Sequence, residues 1–109
     1  MRANAAAIRA IRAIGDPTRR DVLEQLRKGP LAVGEIAARL PVSRPAVSQH
    51  LRVLEGAGLV TAERAGTRRL YRVDPEGIAA LREYFDSFWS DALAAFKAAA
   101  EAGAERKGR

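Results

Sequence analysis

The chain has 109 residues, with 19 Lys and Arg against 13 Asp and Glu, for a formal net charge of +6. That length accommodates one domain. Apolar residues make up 48%, but 23 of them are Ala, and only 29 larger apolar side chains remain to build a core, so dimerisation is expected. The lack of Cys excludes a disulfide scaffold and thiolate metal sites, and the single His cannot assemble a zinc cluster. No apolar run approaches the ~20 residues of a membrane span. The Ala-rich start, with Arg2, Arg9 and Arg12, has a transit-peptide composition, yet it reads equally as an amphipathic helix, and a cytoplasmic location is expected.

Ile8, Ile11 and Ile14 recur at helical spacing and predict a first helix over about 3–14, ended by Gly15. Asp16 then has the chemistry of an N-cap, with Pro17 at the first helical position. Val22, Leu23 and Leu26 give a second helix its apolar stripe before Gly29-Pro30 stops it. Val33, Ile36, Ala37 and Leu40 predict a short third helix over about 32–40. Pro41-Val42-Ser43 is then a three-residue connection. Ser43 can cap a fourth helix that holds Pro45 in its first turn and runs to about Ala57, closed by Gly58. Two β-type runs, 60–64 and 68–73, flank a turn at Ala65-Gly66-Thr67, where Gly-Thr suits a two-residue hairpin. Pro75 opens the longest helix, predicted to about Glu101. Its seam of Ile78, Leu81, Phe85, Phe88, Ala92, Ala95 and Ala99 has heptad-like spacing, widened by Tyr84, Trp89, Leu93 and Phe96. Residues 102–109 are polar, basic and Gly-interrupted, so the chain reads as one domain over 1–101 with a frayed, disordered basic tail.

The charge is unevenly spread: +4 over residues 1–41, +4 over 42–72, −4 over 74–101 and +2 over the tail. A basic middle beside an acidic C-terminal segment suggests one face for a polyanion and another for a different partner.

Two short helices joined by a short turn and followed by a basic hairpin form a winged helix-turn-helix, in a mostly α chain of order α-α-α-α-β-β-α. Such a pair fits its second helix into the ~12 Å major groove while the hairpin reaches the adjacent backbone or minor groove. At about 100° per residue from Val47, Leu51 falls near 40° and Leu54 near −20°, on the core side. Ser48, Arg52, Pro45 and Gln49 fall between about 100° and 200°, and Arg44 projects from the N-terminal end. Arg bonds guanine bidentately and Gln bonds adenine, each giving about 1–3 kcal/mol of base discrimination. His50, at about −60°, flanks the core side, where packing competes with a base contact. Arg64, Arg68, Arg69 and Arg72 surround Gly66-Thr67; their mutual repulsion calls for counter-charge, which phosphate supplies. The competing reading is an edge hairpin kept soluble by charge. Tyr71, alternating with these arginines, is assigned to the core.

Asp16-Pro17-Thr18-Arg19-Arg20, Val33-Gly34-Glu35-Ile36-Ala37, the run from Ser43 to Leu54 and Ala57-Gly58-Leu59-Val60 resemble the ArsR-type (ArsR/SmtB) family of repressors, over roughly residues 8–96. The resemblance implies a small homodimeric repressor of an inverted-repeat operator, often regulating its own transcription. It also implies a dimer interface of first and last helices, here Ile8, Ile11, Leu81, Phe85, Phe88, Trp89 and Phe96. Carried over, the family's base-reading residues fall on Arg44, Pro45, Ser48 and Gln49 and its wing contacts on Arg68-Arg69. Together with the helical wheel and the charge pattern, the expected DNA surface is Ser43, Arg44, Pro45, Ser48, Gln49, His50, Arg52, Arg64, Arg68 and Arg69.

The departures from the family matter too. Leu31-Ala32-Val33-Gly34 stands where metal-sensing members carry two Cys, and the last helix has Asp86, Asp91 and Glu101 but no His. Metal release by those routes is therefore not expected, and neither metal nor cofactor is assigned. Pro41 stands where a Gly usually ends the third helix and cannot take positive φ. Ala32 replaces a Ser/Thr cap, at a cost of about 0.5–2 kcal/mol. Both are expected to alter how the third helix sits against the fourth. The expected partners are duplex DNA and a second copy of the chain, with no membrane; a small-molecule or protein effector stays open. The Phe/Trp seam is expected to pack a dimer rather than hold a ligand. An alternative from another class is a winged-helix protein-interaction module meeting an acidic partner. Enzyme activity is not expected, for want of a Gly-rich phosphate loop or a His paired with a nucleophile.

Overall fold

The computed structural model describes residues 5–107, and residues 1–4, 108 and 109 lie outside that description. In chain order its elements are α1 (Ala5–Ile14), α2 (Pro17–Gln25), α3 (Val33–Ala37), α4 (Arg44–Gly56), β1 (Val60–Ala65), β2 (Arg68–Val73) and α5 (Pro75–Lys107). This is the mostly α, winged helix-turn-helix order read from the sequence.

The run from Asp16 to Arg20 builds the corner between α1 and α2. Asp16 Oδ1 accepts the Arg19 backbone N–H at 3.1 Å, capping α2, with Pro17 in its first turn. Arg19 and Arg20 then reach back, donating to the Ala13 and Ile14 carbonyls at 3.0 and 2.7 Å. Two cations thereby satisfy orphan carbonyls at the negative end of α1.

Every element but β2 contributes to the buried core, which is Ala10, Ala13, Val22, Leu26, Ile36, Val47, Leu51, Leu54, Leu59, Val60 and Leu81, while β2 packs the partly buried Tyr71 and Val73 against it. On α1 the buried face is Ala7, Ala10 and Ala13, not the isoleucines. Ile8 is exposed, while Ile11 and Ile14 are half-buried at the margin of the core. The small side chains let α1 lie close to α5, and the isoleucine stripe is turned about 100° away.

α3 is shorter than predicted. It ends at Ala37, and tight turns follow, with Arg39 N–H to the Ile36 carbonyl at 3.0 Å and Val42 N–H to the Leu40 carbonyl at 2.8 Å. The connection to α4 thus occupies residues 38–43 rather than three. Pro41 keeps the helix from reaching the predicted end, because it has no N–H for the Ala37 carbonyl and drives Leu40 out of the α region. Ala32 precedes α3 with extended backbone and has no side-chain acceptor. Glu35 Oε1 accepts the Ala32 N–H at 2.9 Å, the half of a capping box that alanine leaves intact.

The hairpin pairs β1 with β2 antiparallel, from Val60 opposite Val73 to Ala65 opposite Arg68. Gly66 takes φ 66° and Thr67 does not take positive φ, as a type II′ turn requires. Leu31 exchanges backbone hydrogen bonds with Tyr71 at 3.0 and 2.8 Å, docking β2 beside the start of α3.

α5 meets the body through its first turns. Gly77 lies so close to the turn after α4 that a Cβ there would sit 1.8 Å from the Gly58 carbonyl oxygen. Leu81 is its last buried residue, and from Phe85 to Ala102 every residue is exposed. At about 1.5 Å per residue the helix is ~50 Å long. It stretches the molecule to a radius of gyration of 19.7 Å, against about 13 Å for a compact chain of this length. The predicted tail is corrected as well: helix continues through Ala102 to Lys107. Ala98, Ala99, Ala100, Ala102 and Ala104 are the strongest helix formers and outweigh the roughly 1 kcal/mol penalty of Gly103.

Candidate nucleic-acid interface

α4 begins at a cap the sequence specifies, with Ser43 Oγ accepting the Ala46 N–H at 3.3 Å and Pro45 in the first turn. Val47, Leu51 and Leu54 are buried, which fixes the rotation of the helix. Arg44, Pro45, Gln49 and Arg52 are consequently exposed, and Ser48 is half-buried at the edge. Arg52 Nη1 donates to Gln49 Oε1 at 3.1 Å, so the two side chains hold each other across one helical turn. The Arg44 guanidinium lies over Gly34 of α3, where a Cβ would stand 2.8 Å from Arg44 Nη2. Gly34 therefore gives the arginine a surface to rest on. His50 is half-buried at the inner flank, and its Nδ1 is sealed from solvent without a hydrogen-bond partner.

The wing carries its arginines differently from the expected crowd of unpaired cations. Arg68 pairs with Glu35 of α3, Arg69 with Glu55 of α4 at 3.6 Å, and Arg72 with Glu63 of β1 at 4.0 Å. Counter-charge for three of the four wing arginines is thus present within the chain. Arg69 also stacks over the Tyr71 ring at 5.5 Å, while Tyr71 packs against the core as expected. Arg64 makes no ion pair among the described residues, and the register sets it directly opposite Arg69. Like charges facing across a strand pair destabilise the hairpin tip.

Glu35 was missed as a site residue. It accepts the Ala32 N–H and the Arg68 guanidinium on one oxygen, joining the start of α3 to the wing. The Ala32 N–H, then the nearby Arg68 and Arg39 charges, hold its carboxyl below the usual range. Its capping spacing from Ala32 was visible in the sequence, but its partnership with Arg68 was not. Asp16 is likewise held low, first by the Arg19 N–H.

The dimer candidates separate into two groups. Leu81 is buried within the protomer and Ile11 is half-buried against its core, because both lie where α1 and α5 meet the body. Ile8, Phe85, Phe88, Trp89 and Phe96 are exposed, joined by Leu93 and Ile78. Tyr84 meets Phe85 and Phe88 edge to face, with ring centroids 5.7 and 5.1 Å apart. Among the described residues no group of three His, Asp or Glu side chains is placed to hold a metal ion, and no helix is long and apolar enough to cross a membrane.

Comparison with known proteins gives this arrangement a family. Residues 16–62, which hold α2 to α4 and the start of the wing, match the family described as bacterial regulatory protein, arsR family. The chain is 59% identical to the HTH-type transcriptional regulator Rv2034 of Mycobacterium tuberculosis over 88 residues, 81% of this chain and 82% of that protein. An ArsR-like transcriptional regulator from a Rhodococcus species superposes with a TM-score of 0.74 at 31% identity, over 89% of this chain and 94% of the other. A homodimeric winged helix-turn-helix DNA-binding domain from Mycobacterium bovis gives a TM-score of 0.64 at 31% identity, over 81% of this chain and 82% of the other. The chain belongs to the arsR family of bacterial regulatory proteins and is a transcriptional regulator.

Proposed function

We propose that the chain is a homodimeric repressor that binds an inverted-repeat operator in duplex DNA, its own promoter among the sites, and acts in the cytoplasm without catalysis. The carrying observation is the outward side of α4, where Arg44, Pro45, Ser48, Gln49 and Arg52 stand without a carboxylate beside a cationic hairpin. In this reading α4 enters the major groove with Ser43 and Arg44 leading, and Arg44 and Gln49 read base edges. The wing lays Arg64, Arg68 and Arg69 on the flanking backbone, where a phosphate between Arg64 and Arg69 relieves their mutual repulsion. His50, with Nδ1 sealed, is assigned to packing rather than base contact. Dimerisation through Ile8, Phe85, Phe88, Trp89 and Phe96 is supported by their exposure and by the homodimeric relative. Two-fold symmetry then sets two half-sites about one helical turn apart.

Titration of a palindromic fragment by fluorescence anisotropy tests this. Arg44→Ala or Gln49→Ala is expected to cost about 1–3 kcal/mol on the preferred sequence and relax base preference. Arg68→Ala or Arg69→Ala is expected to weaken all duplexes alike and flatten the salt dependence by about 0.9 in log–log slope per phosphate lost. Unchanged affinity in both classes overturns the reading. Binding to an acidic protein that duplex cannot displace would favour the protein-interaction alternative.

A further inference from the structure

The wing occupies one flank of α4. Counting about 100° per residue from Val47, Glu55, which holds Arg69, stands near 80°, just short of the outward face. Val53 stands near 240°, just beyond that face on its other side, and Ala57 near 280°, on the inner flank beside His50. A hollow opens there, lined by Val53, Gly56 and Ala57 of α4, by Arg9, Arg12 and Ala13 of α1, and by Arg19 of α2. Three guanidinium-bearing residues surround it, and none of its lining residues is acidic.

The three arginines are not alike. Arg19 is anchored, with Nη1 on the Ala13 carbonyl and Nη2 4.0 Å from Asp16, while its buried Nε has no acceptor. Arg9 and Arg12 are exposed and make no ion pair among the described residues. Arg9 also edges a neighbouring hollow that contains Glu55, Asp74 and Glu76, yet none of these comes within ion-pairing distance. Folding thus gathers cations on this flank and leaves two of them without an ion pair among the described residues, unlike Arg68, Arg69 and Arg72 on the wing.

We infer that Arg9 and Arg12, beside the anchored Arg19, bind backbone phosphates on the side of the major groove opposite the wing. The inference rests on the DNA reading above. A helix about 10–12 Å across seated in a ~12 Å groove brings a phosphate strand against each of its flanks. The wing meets one strand and the α1–α2 corner meets the other, so the protein holds the groove from both walls. Bound phosphate gives Arg9 and Arg12 the ion pairs they lack among the described residues. These contacts carry no sequence information; they fix how deeply and at what angle α4 sits.

The test is the double variant Arg9→Gln/Arg12→Gln, titrated at several salt concentrations against the palindromic fragment and a scrambled duplex. Loss of one or two phosphate contacts is expected to lower the log–log salt slope by about 0.9 to 1.8. Both duplexes should weaken by a similar factor and base preference should persist, at unchanged melting temperature and dimer fraction. A control, Lys97→Gln/Arg106→Gln, removes the same charge from the far part of α5 and should leave the slope unchanged. The inference is overturned if the Arg9/Arg12 variant keeps the wild-type slope, or if the control flattens it equally. It is also overturned if free phosphate raises the melting temperature of wild type but not of the variant while the slope stays fixed, which would assign the hollow to a small anion. A wing variant that flattens the slope while Arg9/Arg12 does not would sink this inference and spare the DNA reading; wild type that binds no duplex would sink both.

Discussion

α4 and α5 carry apolar residues at the same three-and-four spacing, yet they end in opposite environments. On α4, Leu51 and Leu54 are 0% exposed, whereas on α5 Phe88 is 58% and Phe96 73% exposed. α4 is covered by α2, α3, α1 and β1 of its own chain, while α5 is exposed at every residue from Phe85 to Ala102. Periodicity reports that a face seeks burial, and it is silent on which chain provides the cover. On the proposed dimer, the contrast between the two helices is one between folding within a chain and folding between chains, and it can be tested as such.

The largest effect is expected at Leu51→Ala. Truncating a fully buried leucine costs about 2–5 kcal/mol, enough to lower Tm by about 10 °C or more in a domain of this size. The drop should be similar at every protein concentration. Phe88→Ala is expected to act elsewhere, weakening the dimer by about 2 kcal/mol, as a buried aromatic anchor does, or roughly 30-fold in dissociation constant. Sedimentation should show that shift, and wild-type Tm should rise with protein concentration in the way linked association requires. A wild-type Tm independent of concentration, with Phe88→Ala leaving the sedimentation unchanged, would erase the distinction between the helices.

What the sequence made legible follows the range of the interactions. Ser43 and Asp16 as caps, Pro45 in a first turn and Gly66 in the hairpin are decided within four residues, and all were read correctly. Pro41 is a local signal too, but it bears on the helix before it bears on any cap, and α3 stops at Ala37, short of the expected 40. On α1, Ala7, Ala10 and Ala13 run parallel to Ile8, Ile11 and Ile14. The isoleucines are expected at the dimer interface, and Ile8 is indeed exposed. That the alanines form the face packed on the protomer's own core was not legible, because alanine is weakly hydrophobic and its burial depends on close helix packing. The clash that bars a side chain at Gly77 and the pairing of Arg68 with Glu35, 33 residues away, depend on the assembled fold and leave no local pattern.

The smallest expected effect concerns that long-range pair. Glu35→Gln keeps an amide oxygen for the Ala32 N–H and removes the charge that holds Arg68, so it separates the tether from the cap. Hydrogen exchange should quicken at the wing tip, Gly66 to Arg69, while the α4 amides keep their protection. The pH dependence follows from the direction of the shift. A carboxyl held below its ordinary value of 4.5 contributes stability that is fully present above that value and lost as pH falls through the lower, folded one. Wild type should therefore lose wing protection on acidification below about 4.5, and Glu35→Gln should show the loosened wing already at neutral pH, with little further change. Asp16, also held low, keeps its own acid-side loss in both proteins, confined to the α1–α2 corner. Equal wing exchange in the two proteins at neutral pH would mean that Glu35 caps α3 without restraining Arg68, and that the wing's poise owes nothing to the helix beside it.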